Sequence, residues 1–78
     1  MKVKIYTTPS CPYCQMAKMF FKKHQVEYEE IDVSSSEKGL EEMQAKSHQL
    51  GVPVIDIDGQ IIVGFDRMAI AQILGIKD

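Results

Sequence analysis

Two cysteines separated by only two residues, with a proline directly after the first, constrain this chain more than any other feature. Cys11 and Cys14 enclose too short a loop to act as a staple, because a disulfide stabilises mainly by restricting long loops of the unfolded chain. Chance puts two cysteines at this spacing in only about 2.5% of placements, so coincidence is a weak explanation. Zinc usually takes four ligands, and Cys11, Cys14, His24 and His48 lack the customary spacing. No metal site is expected. The pair has to be explained by its own chemistry, displayed on a chain of 78 residues. That length allows one domain, 1–78, near the lower limit at which a core folds unaided.

The surrounding pattern shows where the pair sits. Lys2 to Tyr6 alternates polar and apolar residues as a strand does, then runs into the polar loop Thr7-Thr8-Pro9-Ser10. Pro12 suits the first position of a helix, where its missing N–H costs nothing. The helix runs to about His24, with Ala17, Phe20, Phe21 and His24 on one stripe and Lys18, Lys22 and Lys23 on the other side. Val26 to Val33 reads as a second strand with a phase shift, hence a bulge or an early end. Ser34-x-x-Glu37 has the signature of a helix start, Leu40, Met43 and Ser47 share a face, and Gly51 is the expected terminator. Val52–Ile57 and Ile61–Val63 flank Asp58-Gly59, a strong hairpin signal. Asp66 caps a last helix that buries Ile70, Ile73 and Leu74 and ends at Gly75. The order β-α-β-α-β-β-α predicts an α/β fold. It has one parallel crossover and a terminal hairpin, hence a four-stranded mixed sheet flanked by helices.

Composition closes off other classes. With 45% hydrophobic and 26% charged residues the chain is neither disordered nor coiled coil. A net charge of −2 offers no basic field for nucleic acid. Its apolar runs are too short for a membrane span, and Met1 to Tyr6 lacks the apolar stretch of a signal peptide. A cytoplasmic monomer is expected.

Cysteines three apart at a helix start lie side by side, close to disulfide reach. The unpaired first-turn N–H groups and the helix dipole favour a thiolate on Cys11, which makes it the nucleophile. Cys14, one turn in and more covered, is suited to attack a mixed disulfide on Cys11. That division of labour is thiol–disulfide exchange. Pro12 stiffens the turn, and Tyr13 offers a flat apolar edge to a docking substrate. Lys4 and Lys18 are read as lysines of a solvated face, His24 and His48 as surface or helix-end residues. Pro53 opens what should be a central strand, where it cannot donate a ladder hydrogen bond; a cis Val52–Pro53 bond solves this. The Val52 backbone then lies beside the Cys11 loop, open to an extended peptide.

Ile5-Tyr6-Thr7-x-x-x-Cys11-Pro12-Tyr13-Cys14, Val52-Pro53 and Val63-Gly64-Phe65-Asp66 together resemble a glutaredoxin, or a close glutaredoxin-like redoxin of the thioredoxin fold, across essentially the whole chain. The resemblance implies that Cys11 attacks, Cys14 resolves, Pro53 is cis and Gly64 to Asp66 help hold glutathione. It also implies no tightly bound cofactor, with glutathione as a co-substrate and disulfide-containing proteins as partners. Three departures bear on the electron donor. Thr8 stands where glutathione-using members often carry lysine, Gly51 stands where they usually carry threonine before Val-Pro, and Arg67 replaces a second acid. Arg67 would repel the glutamyl amine of glutathione or bind a carboxylate. The alternative is a hydrogen-donor redoxin fed by a flavin thioredoxin reductase, as for ribonucleotide reductase. A [2Fe–2S] module held by the first cysteine and glutathione is disfavoured by Pro12 and the weakened glutathione pocket. A purely structural domain would leave Cys11 with an ordinary thiol pKa, near about 8.5.

Overall fold

Side chains alternate across a strand, so three of the four strands of this chain serve two cores at once, and the fourth lends only Ile31 to one of them. The computed structural model describes residues 1–77. It contains β1 (Val3–Thr7), α1 (Pro12–Lys23), β2 (Glu29–Asp32), α2 (Glu37–Ser47), β3 (Val54–Ile57), β4 (Gln60–Val63) and α3 (Arg67–Leu74). The sheet order is β2-β1-β3-β4. β1 and β2 are parallel, whereas β1–β3 and β3–β4 are antiparallel. This is the mixed four-stranded α/β architecture expected from the sequence.

On one face Val3, Ile5, Ile55, Ile57 and Ile62 pack with Ala17, Phe20 and Phe21 of α1 and Ile70 of α3. On the other, Tyr6 and Val54 pack with Val33 and with Met43 of α2. The hairpin turns through Asp58 at φ 50° and Gly59 at φ 90°. Two successive left-handed residues match the twist of the strands they join.

Several boundaries differ from the periodicity. β2 is confined to Glu29–Asp32 rather than Val26–Val33, because Val26 and Tyr28 pack into the α1 core while the strand itself lies on the sheet edge. Ser36, not Ser34, caps α2, accepting from the Gly39 N–H at 3.0 Å. Ser34 is held instead by Asp32, whose carboxylate takes its N–H at 2.9 Å and its hydroxyl at 2.6 Å. Gly39 permits a close approach there: a Cβ would stand 2.6 Å from Cγ2 of Ile31. α2 ends earlier than Gly51, at His48 in the left-handed region with φ 60°. β3 begins at Val54, after the proline, and β4 begins one residue early, at Gln60.

Beneath the sheet a polar network joins α2 to the strands. The wholly buried Tyr6 donates its hydroxyl to Glu42 and accepts from Lys46 Nζ at 2.8 Å. Lys46 also donates to Asp56 at 2.7 Å, and Asp56 accepts the Gly59 N–H at 2.7 Å. Burial alone would raise the Asp56 carboxyl, but the Lys46 hydrogen bond and the Gly59 N–H outweigh it and hold it below the ordinary value. Its folded pKa is depressed, so its contribution is complete above the ordinary carboxylate range, about pH 4, and is lost as pH falls through the folded value. Asp56→Asn should therefore cost about 1–3 kcal/mol at neutral pH and progressively less in acid. Urea midpoints of variant and parent should converge below about pH 3; a gap that stays constant would contradict the assignment.

Candidate active site

The sheet register gathers the expected site at one end. Tyr6 pairs with Val54, and Val54 pairs with Val63. The loop after β1, the start of β3 and the end of β4 therefore share one end of the sheet. Gly64 N–H donates to the Pro53 carbonyl at 2.8 Å, tying the last two together. The Val52–Pro53 bond is cis, as expected, and Pro53 is buried. Gly64 adopts φ +82°, which a side chain would strain, so the glycine lets β4 turn toward α3.

Cys11 is the N-cap of α1, with extended backbone dihedrals, and Pro12 occupies the first helical position. The Cys11 N–H donates to the Thr8 carbonyl at 3.3 Å, which folds the loop back beneath the cap. The Cys14 N–H donates to Cys11 Sγ at 3.1 Å. One of the N–H groups left unpaired at a helix start thus aims at the sulfur. The two sulfurs are joined in a disulfide, with Cα atoms 5.2 Å apart. Cys14 is completely covered and Cys11 retains 8% of its surface. Tyr13 between them is 62% exposed.

Phe65 packs edge-on to Phe20 with ring centroids 6.0 Å apart, which docks the Gly64–Asp66 segment on α1. The Asp66 carboxylate accepts the Ala69 N–H at 3.1 Å as the cap of α3. Thr8 and Val52 are half-buried, whereas Pro12, Tyr13 and Asp66 face outward. Two features lie outside the sequence reading. A shallow groove runs beside the site, lined by Met16, Met19 and Phe20 on α1 and by Phe65 and Arg67 at the start of α3. Lys18 is not simply solvated: its ammonium sits 2.9 Å from Glu30, whose carboxylate also accepts from the buried Thr7 hydroxyl at 2.8 Å. The spacing Cys14 to Lys18, one helical turn, was the available signal. Lys4 likewise lies 3.7 Å from Glu42.

The sequence profile of the glutaredoxins matches residues 3–62. The chain belongs to the glutaredoxin family. Among curated relatives, it is 43% identical over 72 residues to a glutaredoxin-like 8.6 kDa protein in the rubredoxin operon of Clostridium pasteurianum, covering 92% of this chain and 96% of that one. It is 39% identical over 66 residues to glutaredoxin 3 of Escherichia coli, covering 85% and 80%. A crystallised mutant of a thioredoxin-like protein superimposes with a TM-score of 0.92 at 32% identity, over 97% of both chains. The fold of this glutaredoxin relative is thereby the thioredoxin fold expected from the motifs. Family membership carries thiol–disulfide oxidoreductase chemistry, which needs no tightly bound cofactor. Among the described residues no cluster of three or more His, Cys, Asp or Glu is placed to hold a metal ion. No helix among them is long and apolar enough to cross a membrane.

Proposed function

We propose that this glutaredoxin-family chain is a dithiol oxidoreductase that reduces protein or glutathione mixed disulfides through Cys11 and Cys14. The observation that carries this reading is the N–H of Cys14 held 3.1 Å from Cys11 Sγ at the helix start. A hydrogen bond to the charged form stabilises a thiolate, and so does the positive end of the helix dipole. Cys11, the less covered sulfur, attacks the substrate; Cys14, covered and one turn in, displaces the product. The buried cis Pro53, with Val52 before it, supports an extended substrate segment pairing with the Val52 backbone at this end of the sheet. Tyr13 supplies its apolar contact, and Thr8, Pro12 and Gly64 to Asp66 complete the rim. Such cycling belongs to a reducing cytoplasm, where a monomer suffices. The couple should lie between about −200 and −270 mV.

The donor is glutathione in the first reading and a flavin thioredoxin reductase in the second. The exposed Arg67 favours the second: it follows Asp66 directly and places a cation where the glutamyl amine of glutathione would approach. The deciding experiment is NADPH consumption on a disulfide substrate with each donor system in parallel. Turnover with glutathione and its reductase makes Thr8 and Arg67 tolerated departures. Turnover with thioredoxin reductase alone assigns the chain to the hydrogen-donor redoxins. Turnover with neither donor overturns the oxidoreductase reading.

A further inference from the structure

The cysteine pair does not stand alone on its face of α1. Lys18 lies four residues after Cys14, hence on the same face and one turn further along, with about 5–6 Å between such Cβ atoms. Its side chain is 17% exposed and its ammonium is pinned 2.9 Å from Glu30 on the edge strand β2. Glu30 is itself pinned from below by the hydroxyl of Thr7, which is 1% exposed and is the last residue of β1 before the cysteine loop. Three elements thus meet in one chain of hydrogen bonds that starts one helical turn from Cys14. The Lys18 hydrogen bond, followed by that from Thr7, holds the Glu30 carboxyl below the ordinary range. Glu30 is therefore anionic wherever thiols titrate.

We propose that Lys18 and Glu30 form a fixed charge couple that sets the acidity of the Cys14 thiol, with Thr7 locking the carboxylate in place. These residues touch no substrate and act through Cys14, as positioning residues. The proposal rests on the reading of Cys14 as the resolving thiol. In that step the Cys14 sulfur attacks Cys11 Sγ of the mixed disulfide, the Cys11–substrate S–S bond breaks, and a Cys11–Cys14 bond forms. The dithiol is oxidised by two electrons, and the substrate departs reduced as R–SH, carrying the proton Cys14 gave up to water. A covered thiol resists ionisation, so the nearest fixed charges decide how much thiolate is present. The cation favours it; the carboxylate, partly cancelling the cation, limits it.

Other charges around the site are already engaged or lie to one side. Asp32, further along β2, accepts from the Ser34 N–H and hydroxyl. Asp66 accepts from the Ala69 N–H at the start of α3, with Arg67 beside it on the groove. β1 presents the neutral Thr7, and β3 presents Val54 and Ile55 at this end.

The test separates charge from architecture. In a Cys11→Ser background Cys14 is the only cysteine, and its thiolate absorbance can be followed against pH, using the Cys11→Ser/Cys14→Ser protein as the blank. Lys18→Gln should raise the Cys14 titration by about 0.5–1 pH unit, and Glu30→Gln should lower it by a similar amount. The double substitution should return close to the parent. Thr7→Val should move the titration in the direction of Glu30→Gln, by less. A merely structural network would lower thermal stability in both single variants alike and move the titration in the same direction, or not at all; either result overturns the proposal. The titration is read without turnover. Failure of the disulfide-reductase assay would therefore overturn the oxidoreductase reading alone, and failure of the titration would overturn the charge couple alone.

Discussion

Cys11→Ser is expected to abolish disulfide reduction, lowering turnover by about 10³-fold or more, while Cys14→Ser stalls on a mixed disulfide. The asymmetry follows from position. A free thiol with pKa about 8.5 is only about 3% thiolate at pH 7. Cys11 is the helix cap that receives an N–H at 3.1 Å, so its thiolate is favoured and its titration should fall well below the ordinary cysteine value. Serine at that position keeps the cap, because its hydroxyl accepts the same N–H, but a hydroxyl is no nucleophile at neutral pH. The protein should stay folded and inert. Cys14→Ser leaves the attacking sulfur intact and removes only the group that releases the product. A covalent adduct should then accumulate, with turnover confined to substrates that an external thiol can release. Mass spectrometry of each variant after incubation with a glutathionylated peptide distinguishes the two. An adduct on Cys11→Ser protein, or full activity in that variant, would show that the nucleophile is misassigned.

The largest loss of stability is expected from Phe21→Ala. Phe21 is wholly buried between the sheet and α1, with its ring 6.3 Å from Phe20 and 5.4 Å from Tyr28. Removing a buried ring costs its transfer free energy plus the cavity left behind, about 3–5 kcal/mol. A domain of this size has only about 4–12 kcal/mol in total. The thermal midpoint should fall by about 15 °C or more. Met68, 84% exposed on α3, provides the contrast: Met68→Ala should leave the midpoint within a degree or two of the parent, since it surrenders almost no buried surface. Denaturation followed by circular dichroism checks both. Equal losses in the two variants would contradict the packing.

The helices and the hairpin were legible because their signals are local. Pro12 after a cap, Asp66 three residues before its bonded N–H, Asp58-Gly59 in a tight turn and Gly75 at a helix end all act within four residues of chain. The start of α2 is ambiguous in the sequence because three consecutive serines offer the same capping chemistry. Tertiary contact chose among them: Gly39 had to meet Ile31, which makes Ser36 the cap and leaves Ser34 to Asp32. The length of β2 is hidden from the sequence for a similar reason. Its apolar flanks, Val26 and Tyr28, pack onto α1 rather than pairing along an edge.

The chemistry of the site divides in the same way. The amino-acid sequence alone determined that a nucleophilic pair sits at a helix start and that a proline stands just before the strand beside it, because dihedral limits and unpaired N–H groups are properties of a few neighbouring residues. The tertiary structure alone decided what surrounds the pair. Thr7, Lys18 and Glu30 are 11 to 23 residues apart in pairs that touch, or in the same network, and nothing local marks Glu30 on an acidic edge strand as the one that pairs. The parallel pairing of β1 with β2 brings it there, matching Ile5 with Glu30 and leaving the carboxylate within reach of the helix above. A contact of that kind depends on register, and register is set by the burial of both sheet faces together.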